Sequence, residues 1–337
     1  MVLALKDKWI WDSWYAHDGE RWHAFFLQAD KAIKDPELRH FNVSQGHAVS
    51  DDLVNWEHMG TCHAPSEGPS WDDYTTWTGS VVRDDDGLWH LFYTGACRRE
   101  DGLYQRIGHA TSLDLHDWQR VGDGFCLDLK GPNVHHYEAD LVVGFWHDRA
   151  MRDPWVMRDP DDDGWLMYFT ARASNIAEPN GGGAIGFATS PDLQTWTLQP
   201  PVFAGGYGQL EVPQVFEVNN NWYCLFCTSA DHFSKEQAET IPGGPVTGTH
   251  YLIGETPRGP WRIAPGKFLD GALPCNRYAA RIVNTHDGMQ IMGFADRPDG
   301  GHFVGHVMNP DLIIVRDDGL LEVIPRTADK HRKTANG

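Results

Sequence analysis

The sequence is short of basic residues. Its 28 lysines and arginines stand against 47 aspartates and glutamates, so the formal net charge is −19 with histidine neutral. Such an excess of negative charge argues against nucleic acid or an anionic membrane surface as the main partner. A neutral small molecule or an oligosaccharide fits the charge better, and solubility alone remains the simpler explanation of the excess acid.

Long apolar runs are also missing. The apolar start at residues 1–5 (MVLAL) gives way at once to the charged residues 6–8 (KDK). This run falls short of the secretory apolar segment of about 7–15 residues. No run reaches the roughly 18 apolar residues of a membrane-spanning helix. The sequence therefore predicts a soluble, cytoplasmic protein, and a signal peptide removed beforehand is the alternative.

Cysteines are few for the length of the chain, and a chain of this size can form a core without disulfides. We therefore expect free thiols at all six positions, which are Cys62, Cys97, Cys126, Cys224, Cys227 and Cys275. Cys224 and Cys227 form the one close pair, but their odd offset puts them on opposite faces of a strand. Without a second pair, zinc is not expected. The sequence predicts no metal and no cofactor.

What the chain does contain is one hairpin repeated five times. A turn of Asp-Gly or Asn-Asn leads into an aromatic, β-branched run, as in DGERWHAFF and DGLWHLFY. These turn residues tolerate the positive φ of a tight hairpin, and the residues after them favour strands. The copies occupy residues 18–26, 86–93, 163–169, 220–226 and 287–294.

A second pattern follows the first within each unit, with a strand that reaches a Ser/Asp-rich turn and then a tryptophan. It occupies residues 46–56, 108–118 and 186–196. A partial copy lies at 254–261, and we interpret residues 305–312 as the last copy. No helical 3.6-residue stripe lies between the copies. Five all-β units predict a five-bladed β-propeller over residues 1–325, followed by a polar tail at 326–337. A β-sandwich is the alternative, although it would not need the same hairpin five times.

Three acids precede the hairpins of the first, third and fourth units. Asp12 lies among three tryptophans in WIWDSW, Asp153 lies in MRDP, and Glu211 lies in LEVP. A single acid in such a place is usually a turn cap or a surface charge, but equivalent positions in three blades converge at the mouth of a propeller channel. Two carboxylates that flank a glycosidic bond can act as nucleophile and general acid, while a third holds sugar hydroxyls.

These segments resemble motifs of a known clan of enzymes. Residues 11–14 (WDSW) resemble the nucleophile motif of levansucrases, and residues 152–154 (RDP) resemble the Arg-Asp-Pro motif of invertases, inulinases and levansucrases. Residues 211–213 (EVP) are similar to the Glu-x-Pro acid motif, and residues 77–80 (WTGS) to an aromatic-Ser-Gly-Ser segment. The resemblance runs in order from residue 9 to residue 325. It implies a propeller that cleaves β-fructofuranosides with retention through a covalent fructosyl-enzyme.

The resemblance also implies roles for single residues. Asp12 would be the nucleophile, Glu211 the general acid/base, and Asp153 the stabiliser that holds fructose hydroxyls. Arg152 would bind sugar or orient Glu211. The residues expected to bind substrate are Trp11, Gln28, Trp77, Thr78, Arg152 and Tyr278, and a core role for Tyr278 is equally open.

The sequence departs from the invertase pattern at several points. It lacks Asn-Asp-Pro-Asn, carries Val212 where a cysteine is common, and has no residues that match the C-terminal β-sandwich of invertases. The acceptor of the fructosyl group is therefore open between water and another sugar. A phosphorylated sucrose is not expected, because no cluster of lysine or arginine lies near the motifs.

Two other functions are alternatives to a retaining fructosidase. One is an inverting pentosidase on the same ring, which requires the two carboxyls to be about 6.5–9.5 Å apart instead of about 5–5.5 Å. Another is a non-catalytic carbohydrate-binding propeller.

We expect His47 and His109 to pack between strands, and His135 and His136 to lie in a solvated loop. The long loops at 123–148 and 230–248 are the expected carriers of specificity, and the protein is expected to be a monomer or a small homo-oligomer.

Overall fold

The computed structural model describes residues 2–326. Their strands form five antiparallel sheets in chain order, so the predicted five-bladed β-propeller is confirmed. The predicted tail from residue 327 onward, like Met1, lies outside the described residues. No helix in the described part is long and apolar enough to cross a bilayer. All six cysteines are free thiols, as expected.

The first three blades each consist of four strands. Blade 1 contains β1 (Lys8–His17), β2 (Trp22–Asp30), β3 (Ser44–Ser50) and β4 (Glu57–His63). Blade 2 contains β5 (Thr75–Arg83), β6 (Trp89–Ala96), β7 (Arg106–Ser112) and β8 (Gln119–Leu127). Blade 3 contains β9 (Met151–Arg158), β10 (Trp165–Arg172), β11 (Gly183–Ser190) and β12 (Thr197–Ala204).

The last two blades are less regular. Blade 4 contains β13 (Glu211–Val218), β14 (Asn221–Thr228), β15 (Thr247–Gly254), β16 (Trp261–Ile263) and a short β17 (Asp270–Ala272) that pairs with β15. Blade 5 contains β18 (Arg277–Thr285), β19 (Gly288–Ala295), β20 (Asp311–Val315) and β21 (Leu321–Ile324). The α-helix α1 spans Lys235–Thr240, and 3₁₀ turns occur at Lys31–Ile33, Pro36–Phe41, Arg98–Glu100, Val134–His136, Pro179–Gly181 and Ala230–His232.

The repeated hairpin joins the first and second strands of every blade, as its turn chemistry predicted. Gly19, Gly87 and Gly288 adopt positive φ in three of these turns, which is the conformation that a tight hairpin demands. The second strands that follow are buried along most of their length because neighbouring blades cover both faces. The repeat therefore encodes the middle of each blade, where burial is greatest.

The tryptophan that ends the second pattern packs between blades. Trp118 of blade 2 meets Phe25 of blade 1 edge to face, with ring centroids 5.7 Å apart, and Trp196 of blade 3 meets Phe92 of blade 2 at 5.5 Å. Edge-to-face contact is a favourable geometry for aromatic rings. The tryptophans of blades 2 and 3 therefore fix each of these two blades against the preceding one.

The expected packing role of His47 and His109 is confirmed. His47 stacks on Phe25 with ring centroids 4.8 Å apart, and its Nε2 lies 2.9 Å from Nδ1 of His23. His109 lies at the same distance from Nδ1 of His90. Burial lowers the pKa of His47 and of His109 to about 3. Both imidazoles are therefore neutral packing groups at neutral pH.

The last copy of the second pattern is broken. Residues 305–308 lie along β19 and exchange hydrogen bonds with it, but β20 begins only at Asp311. Val307 in this segment donates its amide to the carbonyl of Leu3 at 3.0 Å. The start of the chain thus pairs with blade 5 before it enters blade 1, and this pairing joins the two ends of the ring.

Candidate active site

Every first strand carries a β-bulge in its first half. The pairing register shifts between Ile10 and Ser13 in β1 and between Trp77 and Gly79 in β5. Equivalent shifts occur opposite Phe169 in β9, between Glu211 and Gln214 in β13, and between Tyr278 and Arg281 in β18. A bulge bends its strand and re-aims a side chain, and bulges are common beside active sites.

The three acids lie at or within these bulges. As predicted, all three precede the hairpin turns of their blades, and they already belong to strands: Asp12 and Asp153 lie inside β1 and β9, and Glu211 is the first residue of β13. Alternation of polar and apolar residues is interrupted at a bulge, so the sequence alone does not show where these strands begin. The five bulges bring the acids to one end of the channel.

A cavity of about 520 Å³ opens at this end and is lined by all five first strands. Eight of the nine residues expected in the site line it: Trp11, Asp12, Trp77, Thr78, Arg152, Asp153, Glu211 and Tyr278. Among residues 2–326, no group of three or more histidine, cysteine or carboxylate side chains is arranged to hold a metal ion.

Gln28 is the exception. It is fully buried inside blade 1, where its amide nitrogen donates to the hydroxyls of Thr61 at 2.8 Å and Ser44 at 3.2 Å. It is not among the residues that line the cavity. The structure therefore gives Gln28 a role within the sheet, which joins β2 to β3 and β4.

Asp12 is held by one hydrogen bond in a crowded, anionic environment. The hydroxyl of Thr78 donates to its Oδ2 at 2.5 Å. Burial and then the charge of Asp153 raise the pKa of Asp12 to about 7, with a further contribution from Glu211, while the Thr78 hydrogen bond acts in the opposite direction. The charges of Asp153 and Glu211 affect the pKa of Asp12 because the three carboxylates lie close together in one site.

Asp153 is almost completely buried, with 3 % of its surface exposed. Its Oδ2 accepts hydrogen bonds from the Thr170 hydroxyl at 2.8 Å and from the Val212 amide at 3.0 Å. Burial raises the pKa of Asp153, and the Arg152 guanidinium opposes that rise. Its backbone adopts φ +57°, an uncommon conformation that the bulge imposes.

Glu211 is gripped on both carboxylate oxygens. Oε1 accepts from Nη2 of Arg152 at 2.9 Å, and Oε2 accepts from the Tyr278 hydroxyl at 2.6 Å. The next residue, Val212, adopts φ +54°, which is rare for a β-branched residue and costs roughly 1–3 kcal/mol. The hydrogen bond that the Val212 amide donates to Asp153 helps to hold that conformation, so the acid of blade 3 helps to position the acid of blade 4.

Arg152 is the cation at the centre of the site. Besides Glu211, it donates to Gln105 at 3.2 Å, to Asp148 at 3.3 Å and to Gln209 at 3.2 Å. Burial lowers the pKa of Arg152, but the adjacent carboxylates outweigh burial and raise it. Arg152 is therefore a permanent positive charge whose position is fixed by at least four partners.

Sequence reasoning missed several residues that line the cavity. Five of them lie near Arg152 and Glu211: Gln105, His147, Asp148, Gln209 and His232. The signal for three of these was the expectation that the loops at 123–148 and 230–248 carry specificity, since those loops supply His147, Asp148 and His232. Burial lowers the pKa of His147 and of His232, so both present neutral imidazoles.

His135 and His136 belong to the same long loop but do not line the cavity. His135 is exposed, and its Nδ1 lies 2.8 Å from the carbonyl oxygen of Pro132. This placement agrees with the solvated loop expected for the two residues.

Two arginines distant in sequence also reach the cavity. Arg39 and Arg297 line it, which corrects the expectation that no basic cluster lies near the motifs. Both arginines are paired with Glu37, and Arg297 also lies 3.6 Å from Asp296. The cluster therefore contains two cations and two carboxylates and is close to electrical neutrality.

The family of the chain follows from a comparison with family models and known proteins. Residues 12–301 match the Glycosyl hydrolases family 32 N-terminal domain. The chain is 26 % identical over 273 residues to a sucrose-6-phosphate hydrolase of Bacillus subtilis (strain 168), covering 76 % of this chain and 50 % of that protein. It is 29 % identical over 212 residues to a raffinose invertase of Escherichia coli, covering 61 % of this chain and 38 % of the relative. The chain thus spans half or less of the length of these relatives.

Solved structures share the fold. An inulosucrase from Halalkalicoccus jeotgali bound to kestose superposes with a TM-score of 0.74 at 20 % identity, covering 95 % of this chain and 87 % of that one. The levansucrase of Bacillus subtilis superposes with a TM-score of 0.71 at 15 % identity, covering 95 % and 86 %. These likenesses establish the propeller architecture independently of sequence. Because the family model matches most of the chain, from the first bulge to blade 5, the protein belongs to glycosyl hydrolase family 32.

Proposed function

We propose that the protein is a retaining glycosidase that cleaves β-fructofuranosides such as sucrose or short fructo-oligosaccharides. The observation that carries this proposal is the meeting of Asp12, Asp153 and Glu211 in one cavity, each with a different set of hydrogen-bond partners. Family membership and relatives that include an invertase support the same chemistry. The substrate sugar is the donor of a fructosyl group, and each of the three acids has a separate role in its transfer.

Asp12 is the proposed nucleophile. The Thr78 hydroxyl holds its Oδ2, which leaves Oδ1 for bond formation with the anomeric carbon. A nucleophile must be ionised, and the pKa of about 7 in the substrate-free site places Asp12 close to half ionised at neutral pH. The attack displaces the leaving sugar and forms a fructosyl ester on Asp12.

Glu211 is the proposed general acid and base. In the first step its proton passes to the glycosidic oxygen as the bond to the anomeric carbon breaks, so the leaving sugar departs with a neutral hydroxyl. In the second step ionised Glu211 takes a proton from the incoming hydroxyl as it attacks the ester and releases Asp12. Arg152 and Tyr278 hold the carboxylate in one orientation through both steps.

Asp153 is the proposed stabiliser. Its Oδ2 is fixed by Thr170 and Val212, so the remaining oxygen can accept hydrogen bonds from fructose hydroxyls. Trp11 and Trp77 also line the cavity and supply apolar surface. Hydrogen bonds to sugar hydroxyls that strengthen in the transition state contribute to catalysis in this class of reaction.

A time course with concentrated sucrose tests the proposal, with free glucose and free fructose measured separately. Equal release indicates hydrolysis. Glucose in excess of fructose indicates that the fructosyl group is transferred to another sugar instead of to water. Asp12→Ala and Glu211→Ala should each lower the rate by at least about 10³-fold. Release of neither glucose nor fructose from sucrose, together with no cleavage of any fructo-oligosaccharide, would overturn the proposal and favour a pentosidase or a binding protein.

Retention is tested separately by following the product in real time. Proton and carbon NMR of the first fructose released should show the β-furanose before mutarotation mixes the anomers. The α anomer appearing first would identify an inverting enzyme. Trapping of a sugar ester on Asp12 by mass spectrometry of the acid-quenched enzyme would give an independent measure of the covalent step.

The charge balance near Arg39 and Arg297 also bears on the donor. Because both arginines are paired with carboxylates, we propose that a neutral donor is preferred over its phosphate ester. The test compares kcat/KM for sucrose and for sucrose 6-phosphate in the same preparation. A higher value for the phosphate ester would overturn this preference and would be expected to disappear in Arg297→Gln.

A further inference from the structure

Asp148 is a buried carboxylate that the mechanism above does not use. It is 8 % exposed and lies in the loop ahead of β9, four residues before Arg152. Its Oδ2 accepts hydrogen bonds from Gln105 at 2.8 Å and from Nη1 of Arg152 at 3.3 Å. Its Oδ1 is buried and has no hydrogen-bond partner among residues 2–326. Burial of a half-satisfied carboxylate costs free energy, so a role beyond stability is expected.

The two ends of the Arg152 guanidinium face different acids. Nη1 points to Asp148 and to the Gln105 oxygen, while Nη2 points to Glu211 at 2.9 Å. One positive charge is therefore divided between the carboxylates of Asp148 and Glu211, with Asp153 a third neighbour at 3.7 Å from Nε. Gln105 closes this arrangement because it bonds both Arg152 and Asp148, so the guanidinium cannot turn without breaking several bonds.

We propose that Asp148 is a positioning residue that sets how strongly Arg152 stabilises the ionised form of Glu211. Its negative charge balances part of the Arg152 charge, and its bond to Nη1 directs Nη2 toward Glu211. This inference rests on the proposed acid/base role of Glu211. With Asp148 in place, less of the Arg152 charge acts on the Glu211 carboxylate, although the guanidinium lies in direct contact with it.

The other charged and titratable groups around the pair come from several elements. Asp148 faces Arg172 of β10 and the adjacent His147, whose Nε2 lies 3.5 Å from Oδ2. Glu211 faces six such groups, which are Asp12, Asp153, Tyr278, Cys227, His147 and His232. A variant at Asp148 keeps all of these side chains. A change in the pH profile of kcat/KM of that variant therefore reports the loss of the Asp148 charge.

Asp148→Asn provides a clean test because it preserves shape. The amide oxygen can replace Oδ2 as acceptor for Gln105 and Arg152, and the amide nitrogen takes the place of the unpartnered Oδ1. Removal of the charge leaves Arg152 to act more strongly on Glu211. The alkaline limb of kcat/KM, which reports loss of the proton from the general acid, should move to lower pH by about one unit. Asp148→Ala should in addition lower kcat more than it changes KM.

The control is Asp140→Asn, which makes the same charge change at an exposed position of the same loop and should leave both limbs in place. Circular dichroism and thermal unfolding establish that each variant is folded. An alkaline limb of folded Asp148→Asn that superimposes on wild type, or moves to higher pH, overturns the inference while the proposed function stands. A wild-type protein that cleaves no fructoside, releasing neither the leaving sugar nor fructose, overturns both.

Discussion

The carboxylate of Asp153 in blade 3 accepts a hydrogen bond from the backbone amide of Val212 in blade 4, with Oδ2 and N 3.0 Å apart. Val212 follows Glu211 directly and adopts φ +54°. One acid therefore fixes the backbone from which another acid projects. The site is assembled across the blade interface, and its geometry depends on both blades.

This link predicts different effects of Asp153→Asn on activity and on folding. The amide oxygen can still accept from Val212 and Thr170, so the free energy of unfolding should change by less than about 1 kcal/mol. Activity on sucrose should fall by about 10²–10³-fold because an amide is a weaker acceptor for sugar hydroxyls than a carboxylate. Steady-state kinetics and urea unfolding measure the two effects, and near-wild-type activity would remove Asp153 from the reaction.

The Thr78 hydroxyl predicts a second pH effect. Asp12 must be ionised to attack, so kcat/KM should fall as pH drops below about 7, the raised pKa of Asp12. The Thr78 hydrogen bond acts to lower that pKa. Thr78→Val removes the donor at similar volume, and the acidic limb should then move to higher pH by about one unit. A limb that stays in place or moves to lower pH would contradict the assignment of the acidic limb to Asp12.

Asp12 also predicts a gain in stability when its charge is removed. Its pKa is raised on folding from 3.8 to about 7, so the ionised form is disfavoured in the folded state. This penalty is absent below about pH 4, grows as pH rises, and is complete above pH 7. Asp12→Asn should be more stable than wild type at pH 8 by about 1–3 kcal/mol, and the difference should shrink at pH 5. Urea unfolding at the two pH values measures it, and a variant less stable at pH 8 would contradict the sign.

The fold was accessible from the sequence because the information repeats. Five hairpin turns each join the first two strands of a blade, and the recurring tryptophans, such as Trp118, mark contacts between blades. The broken last copy shows where this reasoning ends. There, pairing between Val307 and Leu3 joins segments that are far apart in sequence, and no local pattern encodes such a contact.

The site was accessible only in part, for a related reason. Asp12, Asp153 and Glu211 occupy equivalent places in repeated units, so their convergence followed from the symmetry of the ring. Gln105 and Asp148 lie outside the repeats, and their contacts with the site depend on how a loop folds over it. Gln28 is the opposite case, because it was predicted to bind substrate and lies outside the cavity. It is a polar residue of the second strand that is buried inside the blade, where it forms hydrogen bonds.

The placement of Gln28 predicts a structural phenotype. Gln28→Leu removes the donor to Thr61 and Ser44 and leaves both hydroxyls to find other partners. The free energy of unfolding should fall by about 1–3 kcal/mol, while KM for sucrose should stay within about twofold of wild type. Urea unfolding and initial-rate kinetics measure the two. A raised KM in a protein of unchanged stability would return Gln28 to the substrate site.

Tyr278 separates a role in the site from a role in the core. Its hydroxyl donates to Oε2 of Glu211 at 2.6 Å, so Tyr278→Phe removes one of the two groups that hold the general acid/base. We expect kcat to fall by about tenfold or more, with thermal unfolding close to wild type because the ring remains. Tyr137→Phe is the matched control, since the Tyr137 hydroxyl donates at 2.6 Å to the carbonyl of Gln199 outside the cavity. That variant should keep its kcat; an unchanged kcat in Tyr278→Phe would instead assign Tyr278 to the core.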